Sequence, residues 1–250
     1  MAIERSPSAG NGTGVGSTLA QGLVLTAALG ATMRASIGTP ASSIVRACAL
    51  YSVIMTLVVR SLPAYHPFSR FGAANQVTTI RAAIVSLLAG FIGEPPTSAL
   101  AWVVVVLAAL ATMLDGVDGW LARRSGLVSP LGARFDLEVD ALLILVLALL
   151  AWRFGKAGPW IVLAGLLRYA FVAGGWAVAW MRRPLPASRR RQTACIAQIV
   201  ALICALLPHV PPTVSVWISA LALCALVASF AIDAAWLWQR SARPNLQVSS

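Results

Sequence analysis

Four aspartates, Asp115, Asp118, Asp136 and Asp140, recur at helical spacing in a chain that otherwise avoids charge, with Gly119, Ala122, Arg123 and Gly132 set between them. A carboxylate in apolar surroundings is costly unless something binds it. Four of them at fixed intervals point to a pair of divalent cations. The donors are all oxygens, and no His or Cys lies nearby in the sequence, so Mg²⁺ or Mn²⁺ suits the cluster better than zinc.

These residues need elements that present them together. A helix over residues 100–123 relates Asp115, Asp118, Gly119, Ala122 and Arg123 by steps of three and four, which places them on one face. A second helix opening at Pro130, with Ser129 as its N-cap, places Gly132, Asp136 and Asp140 on one face as well. Glu138 points elsewhere, four residues after Arg134, in register for a local ion pair. Two acidic faces can then converge on one pocket.

Read as a pattern, Asp115 to Asp140 spells D-x-x-D-G-x-x-A-R, eight residues, then G-x-x-x-D-x-x-x-D. This resembles the signature of the CDP-alcohol phosphatidyltransferases, met at every fixed position. Upstream, Asn75 to Arg81 is similar to the N-x-x-T-x-x-R opening of that family's first core helix. The resemblance implies transfer of a phosphatidyl or related phospho-alcohol group from a CDP-linked donor to an acceptor hydroxyl, with release of CMP.

It also implies roles. Asp115, Asp118, Asp136 and Asp140 would hold two Mg²⁺ or Mn²⁺ ions, with Asp140 in addition the base that takes the acceptor's proton. Direct activation of the hydroxyl by the cation is the alternative, because a carboxylate on a cation is a weak proton acceptor. Gly119 and Ala122 would leave room for the nucleotide, and Arg123, Ser129, Gly132, Thr78 and Arg81 would complete the donor site. Ser129 serves equally as helix cap and as a phosphate contact.

For the acceptor, Arg168 lies inside an apolar segment, and Arg182, Arg183, Arg189, Arg190 and Arg191 crowd one short stretch after it. Arg168, Arg182, Arg189 and Arg191 are the residues expected to receive an acceptor that itself carries a phosphate, such as glycerol 3-phosphate. The expected donor is CDP-diacylglycerol. Transfer from CDP-choline or CDP-ethanolamine to diacylglycerol is the alternative within the family. A divalent-cation transporter is the alternative outside it, but it has no need of Gly119, Ala122, Arg123 and Gly132 at these intervals.

The surrounding chain is that of a membrane protein. Of its 250 residues 59% are hydrophobic and 11% charged, with a mean hydropathy of +0.82, far above a soluble domain's requirement. The sequence predicts an all-α polytopic membrane helix bundle. Six core spans fall near 77–93, 99–121, 136–153, 160–181, 193–208 and 213–238, preceded by one or two further apolar helices near 17–33 and 44–62. The organisation expected is a disordered tail over 1–16, extra membrane segments over 17–66, the catalytic membrane domain over 67–240 and a tail over 241–250.

Fourteen of the nineteen Lys and Arg fall on one side of this arrangement, which assigns that side to the cytoplasm. The expected location is a bacterial inner membrane with the active site facing inward. The net charge of +11 is accounted for by topology and anionic lipid, without nucleic acid. A homodimer is implied by the family resemblance alone.

Overall fold

A computed structural model describes residues 11–65, 72–125, 130–183, 185–186 and 188–241. Eight α-helices occupy them: α1 Asn11–Ile37, α2 Ala41–Tyr65, α3 Ala73–Gly90, α4 Ser98–Ser125, α5 Pro130–Arg153, α6 Leu163–Ala177, α7 Arg189–Leu206 and α8 Pro212–Ser241. Short 3-10 turns at Pro159–Val162 and Ala179–Arg182 flank α6, and the described residues contain no strand. The all-α membrane bundle expected from the sequence is thus the fold observed.

Four stretches are long and apolar enough to cross a bilayer by length and composition: Ala41–Ser61, Ser98–Val117, Pro159–Ala177 and Pro212–Ser241. Helices α1, α3, α5 and α7 fall outside that group, and the last three carry the polar load. Arg81 and its hydroxyl neighbours sit in α3, Asp136 and Asp140 in α5, and Arg189 to Arg191 in α7.

Two boundaries differ from expectation. Helix α1 already begins at Asn11, so the tail drawn over 1–16 loses its last six residues to the helix; residues 1–10 lie outside the described residues. The span expected over 160–181 is composite. Helix α6 stops at Ala177, Val178 turns to an extended conformation, and Arg182 folds back to donate to the carbonyls of Gly175 and Trp176 at 2.7 and 2.8 Å. Hydropathy misses this break because Gly174 and Gly175 read as ordinary small residues of a membrane helix. A side chain capping the last carbonyls decides the end instead.

The chain divides into two compact units. The first comprises Met1–Glu94 with Val106–Asp140. In it α1 and α2 pack on α3, and small residues set the distances. A Cβ on Gly90 of α3 would lie 2.4 Å from the Ser43 carbonyl of α2, and one on Gly22 of α1 would strike the Tyr51 ring. Tyr51 Oη donates to Leu19 O at 3.1 Å. Arg46 of α2 donates from Nε and Nη2 to the carbonyl of Gly90 at 3.2 and 2.7 Å and pairs with Glu94, closing off the C-terminus of α3. Inside α3 the hydroxyls of Thr78, Thr79 and Ser86 each donate to the carbonyl four residues back, so none is stranded in apolar surroundings.

The second unit comprises Pro95–Val105 with Ala141–Ser250. Its α7 and α8 form the main helix pair. Lys156 is buried, and its Nζ donates to Leu207 O at 2.9 Å and Val210 O at 2.5 Å, pinning the α7–α8 turn. Gly165 of α6 lets the backbone of Leu145 in α5 approach, since a Cβ there would lie 2.4 Å from Leu145 Cα. Large apolar side chains such as Trp176, Trp217 and Leu221 stand exposed, a face that lipid covers in a membrane protein.

Candidate active site

The first unit assembles the site from three helices. Helix α3 contributes Thr78 and Arg81, α4 contributes Asp115, and α5 contributes Asp136 and Asp140. The helical spacing read from the sequence holds. One ligand oxygen from each of Asp115, Asp136 and Asp140 lies within 4.8 Å of the others, so the two acidic helix faces do converge.

At their centre is Arg81. Its Nε donates to Ala111 O at 3.1 Å, its Nη2 lies 2.9 Å from Asp115 Oδ1, and its terminal nitrogens also pair with Asp136 Oδ1 and Asp140 Oδ1. The Arg81 side chain is 1% exposed, whereas the three carboxylates are 26 to 36% exposed. The guanidinium therefore forms the floor of the cluster and the carboxylates its open side.

Electrostatics explain why the arginine is there. At 4.8 Å and an effective dielectric of about 20, each pair of ionised carboxylates repels by about 3 kcal/mol. One guanidinium reaching all three offsets much of that repulsion, and its planar fork suits simultaneous contact with several carboxylates. The chemistry of the donor set fits a hard divalent cation: three carboxylates gathered from two helices, with no thiol or imidazole among them.

The remaining expected donor residues divide by what is described. Gly119 lies in α4 and Gly132 in the first turn of α5, both half-buried. The backbones of Asp118, Ala122 and Arg123 belong to α4, but their side chains lie outside the described residues, as does Ser129. Helix α5 does open at Pro130. Thr78 is buried and donates to Ala74 O at 3.1 Å.

The four arginines expected at the acceptor belong to the second unit. Arg168 is half-buried in α6. The guanidinium of Arg182 is engaged by the end of α6, and Arg191 donates to Pro186 O and lies 3.6 Å from Asp233 Oδ2. Arg189, the first residue of α7, is exposed. Arg190 pairs with Asp233 Oδ1 at 2.5 Å and with Ser229, which gives the intramembrane Asp233 its partner.

The family resemblance puts Arg81 on the donor, whereas the structure joins it to the aspartates. The signal was present: a lone arginine among Thr79, Ile80, Ala82 and Ala83 needs carboxylate partners, and the motif supplies a cluster of them that in turn needs a cation.

Comparison with known proteins accords with this geometry. The family model for CDP-alcohol phosphatidyltransferase matches residues 71–230, well over half of the chain. The chain belongs to that family. As a CDP-alcohol phosphatidyltransferase it is a membrane transferase of phospholipid biosynthesis, moving a phosphatidyl group from a CDP-alcohol to an alcohol acceptor. The match opens just before α3 and closes within α8, so it contains Arg81 and the whole aspartate motif, while α1 and α2 precede it. Searches of curated proteins and of solved structures return no match.

Proposed function

We propose that the protein transfers phosphatidyl from CDP-diacylglycerol to an acceptor alcohol that itself carries a phosphate, of the glycerol 3-phosphate type. The observation that carries the reading is the convergence of Asp115, Asp136 and Asp140 from two helices within the family signature.

Asp115, Asp136 and Asp140, with Asp118 from the motif, are the residues that would hold two Mg²⁺ or Mn²⁺ ions. When bound, such ions supply charge neutralisation at the diphosphate and alignment of attacking and leaving oxygens. In the transfer, the acceptor oxygen forms its bond to the phosphatidyl phosphorus as the bond from that phosphorus to CMP breaks. A carboxylate oxygen of Asp140 takes the acceptor's hydroxyl proton, and CMP leaves with the electron pair. Arg123, Thr78, Ser129 and the small residues Gly119, Ala122 and Gly132 orient the donor.

The phosphate on the acceptor is supported by the arginine pattern of the sequence. Arg168 sits inside an apolar helix, and Arg182, Arg189 and Arg191 follow within one short stretch. The reading also places the site on the cytoplasmic side of a bacterial inner membrane, on the strength of the basic-residue bias, and takes the working form to be a homodimer, as the family resemblance implies.

The test incubates detergent-purified protein with CDP-diacylglycerol, Mg²⁺ or Mn²⁺, and a panel of acceptors, following CMP release and lipid product. Glycerol 3-phosphate or inositol phosphate should outperform serine, choline and inositol. Preference for an unphosphorylated alcohol, with apparent acceptor affinity unchanged in Arg168→Ala and Arg191→Ala, would defeat the acceptor assignment.

A further inference from the structure

The acidic cluster already contains a cation of its own. Arg81 Nη1 pairs with Asp136, Nη2 pairs with both Asp115 and Asp140, and Nε is tied to the carbonyl of Ala111. We infer that Arg81 is the resident counter-cation of the metal centre, holding the three carboxylates together when no divalent ion is bound and limiting how tightly that ion is held. The inference rests on the metal-centre reading above.

Three features carry it. The first is immobility: with its side chain 1% exposed and Nε fixed on a backbone carbonyl, the guanidinium has no open path to solvent when an ion arrives. The second is reach, because a single residue of α3 engages carboxylates from both α4 and α5 and so sets the spacing between the two acidic faces. The third is charge. Among the described side chains, three carboxylates and one guanidinium leave a double negative charge, whereas the carboxylates alone would leave a triple charge in apolar surroundings.

Consequences for the ion follow directly. An incoming divalent cation is drawn by the carboxylates and repelled by a fixed positive charge a few ångströms away, and it must share carboxylates that the guanidinium already uses. Arg81 thereby exchanges affinity for order: the site stays assembled without the ion, and the ion is held more loosely than three bare carboxylates would hold it. Arg81 is on this account a positioning residue. Its hydrogen-bonding face is turned to the aspartates.

The experiment uses the full chain in detergent, without any CDP-alcohol, and reads Mn²⁺ binding from the paramagnetic resonance signal of the unbound ion, together with the unfolding midpoint in EDTA and in saturating Mn²⁺. Arg81→Gln should bind Mn²⁺ on the order of tenfold more tightly than wild type, since a unit positive charge near the ion is removed. In EDTA its midpoint should fall by several degrees, and its stabilisation by Mn²⁺ should exceed that of wild type. Arg81→Lys, which keeps the charge, should stay within a few-fold of wild-type affinity. Adding Asp115→Asn to Arg81→Gln should restore stability in EDTA, because it removes the excess negative charge.

Mn²⁺ affinity equal to or weaker than wild type in Arg81→Gln overturns the inference, as does a double variant no more stable in EDTA than the single one. Should Arg81→Gln not be recovered folded, recovery of the double variant in EDTA supports the inference, and its loss as well overturns it. Absence of Mn²⁺ binding by wild type is a different result: it removes the metal-centre reading itself, and the inference falls with it.

Discussion

Arg190 and Asp233 join the first turn of α7 to the C-terminal half of α8 through a 2.5 Å ion pair, with Ser229 accepting from the same guanidinium. Asp233 is buried and Arg190 about one-third exposed, so each partner depends unequally on the other. Replacing Asp233 by Ala leaves a partly buried guanidinium short of its acceptor. We expect a loss of about 1–2 kcal/mol, below the range for fully buried pairs because water reaches Arg190. Thermal unfolding in detergent measures it, and a cycle with Arg190→Ala isolates the coupling. Equal stability of Asp233→Ala and wild type would show that the pair contributes nothing.

The aspartates should behave differently, losing chemistry before structure. Asp115→Asn and Asp136→Asn are each expected to lower CMP release by at least about 100-fold, because neutralising the diphosphate supplies much of the rate. Their unfolding midpoints in EDTA should stay near that of wild type, since Arg81 retains two carboxylate partners in each. Excess chelator should abolish turnover in the unmodified protein. Undiminished turnover in chelator is the result that contradicts the assignment.

Gly90 offers a test of helix packing free of the chemistry. A valine there would set its Cβ against the Ser43 carbonyl at 2.4 Å, where backbone, not a flexible side-chain end, must give way. The expected cost is about 1–3 kcal/mol. Gly116, where a Cβ meets nothing within 4 Å, is the control: Gly116→Ala should leave the unfolding midpoint unchanged or slightly raised. A Gly90→Val protein as stable as wild type would mean that α2 and α3 are free to part.

Sidedness can be read by labelling. In a background with Cys48, Cys195, Cys204 and Cys224 replaced, single cysteines at Ser125 and Ser188 should resist an impermeant thiol reagent in intact cells and react after lysis. Labelling of both from outside would reverse the orientation drawn from the basic residues.

The aspartate site was legible because its information is local. Steps of three and four bring Asp136 and Asp140 to one face of α5 whatever the rest of the chain does, and Pro130 marks where that helix starts. Arg81 was not legible in the same way. Its carboxylate partners lie on α4 and, 55 and 59 residues further on, on α5, and periodicity within α3 carries no trace of them. Charge alone could have pointed there, since a buried arginine and a cluster of carboxylates each need the other. The break at Val178 escaped for another reason: an apolar run looks continuous to hydropathy, while Arg182 ends the helix by a contact between side chain and backbone. Arg190 and Asp233 likewise became a pair only when α7 and α8 were laid side by side.

The packing of α1 and α2 on α3 has a consequence in time. A chain leaves the ribosome from its N-terminus, so the Arg46 contact with Gly90 is available as soon as α3 is complete. Arg81 must wait for Asp140, 59 residues later, an interval of roughly 3 to 12 s at ordinary rates of synthesis. Until Asp115 is made, α3 carries a cation none of whose carboxylates yet exists, and until Asp140 is made the set is incomplete. The two preceding helices are already made, and their close contact at Gly90 gives the nascent α3 a protein surface to lie against in place of lipid. The order of the helices along the chain thus gives α3 its packing partners before the carboxylates of Arg81 are made.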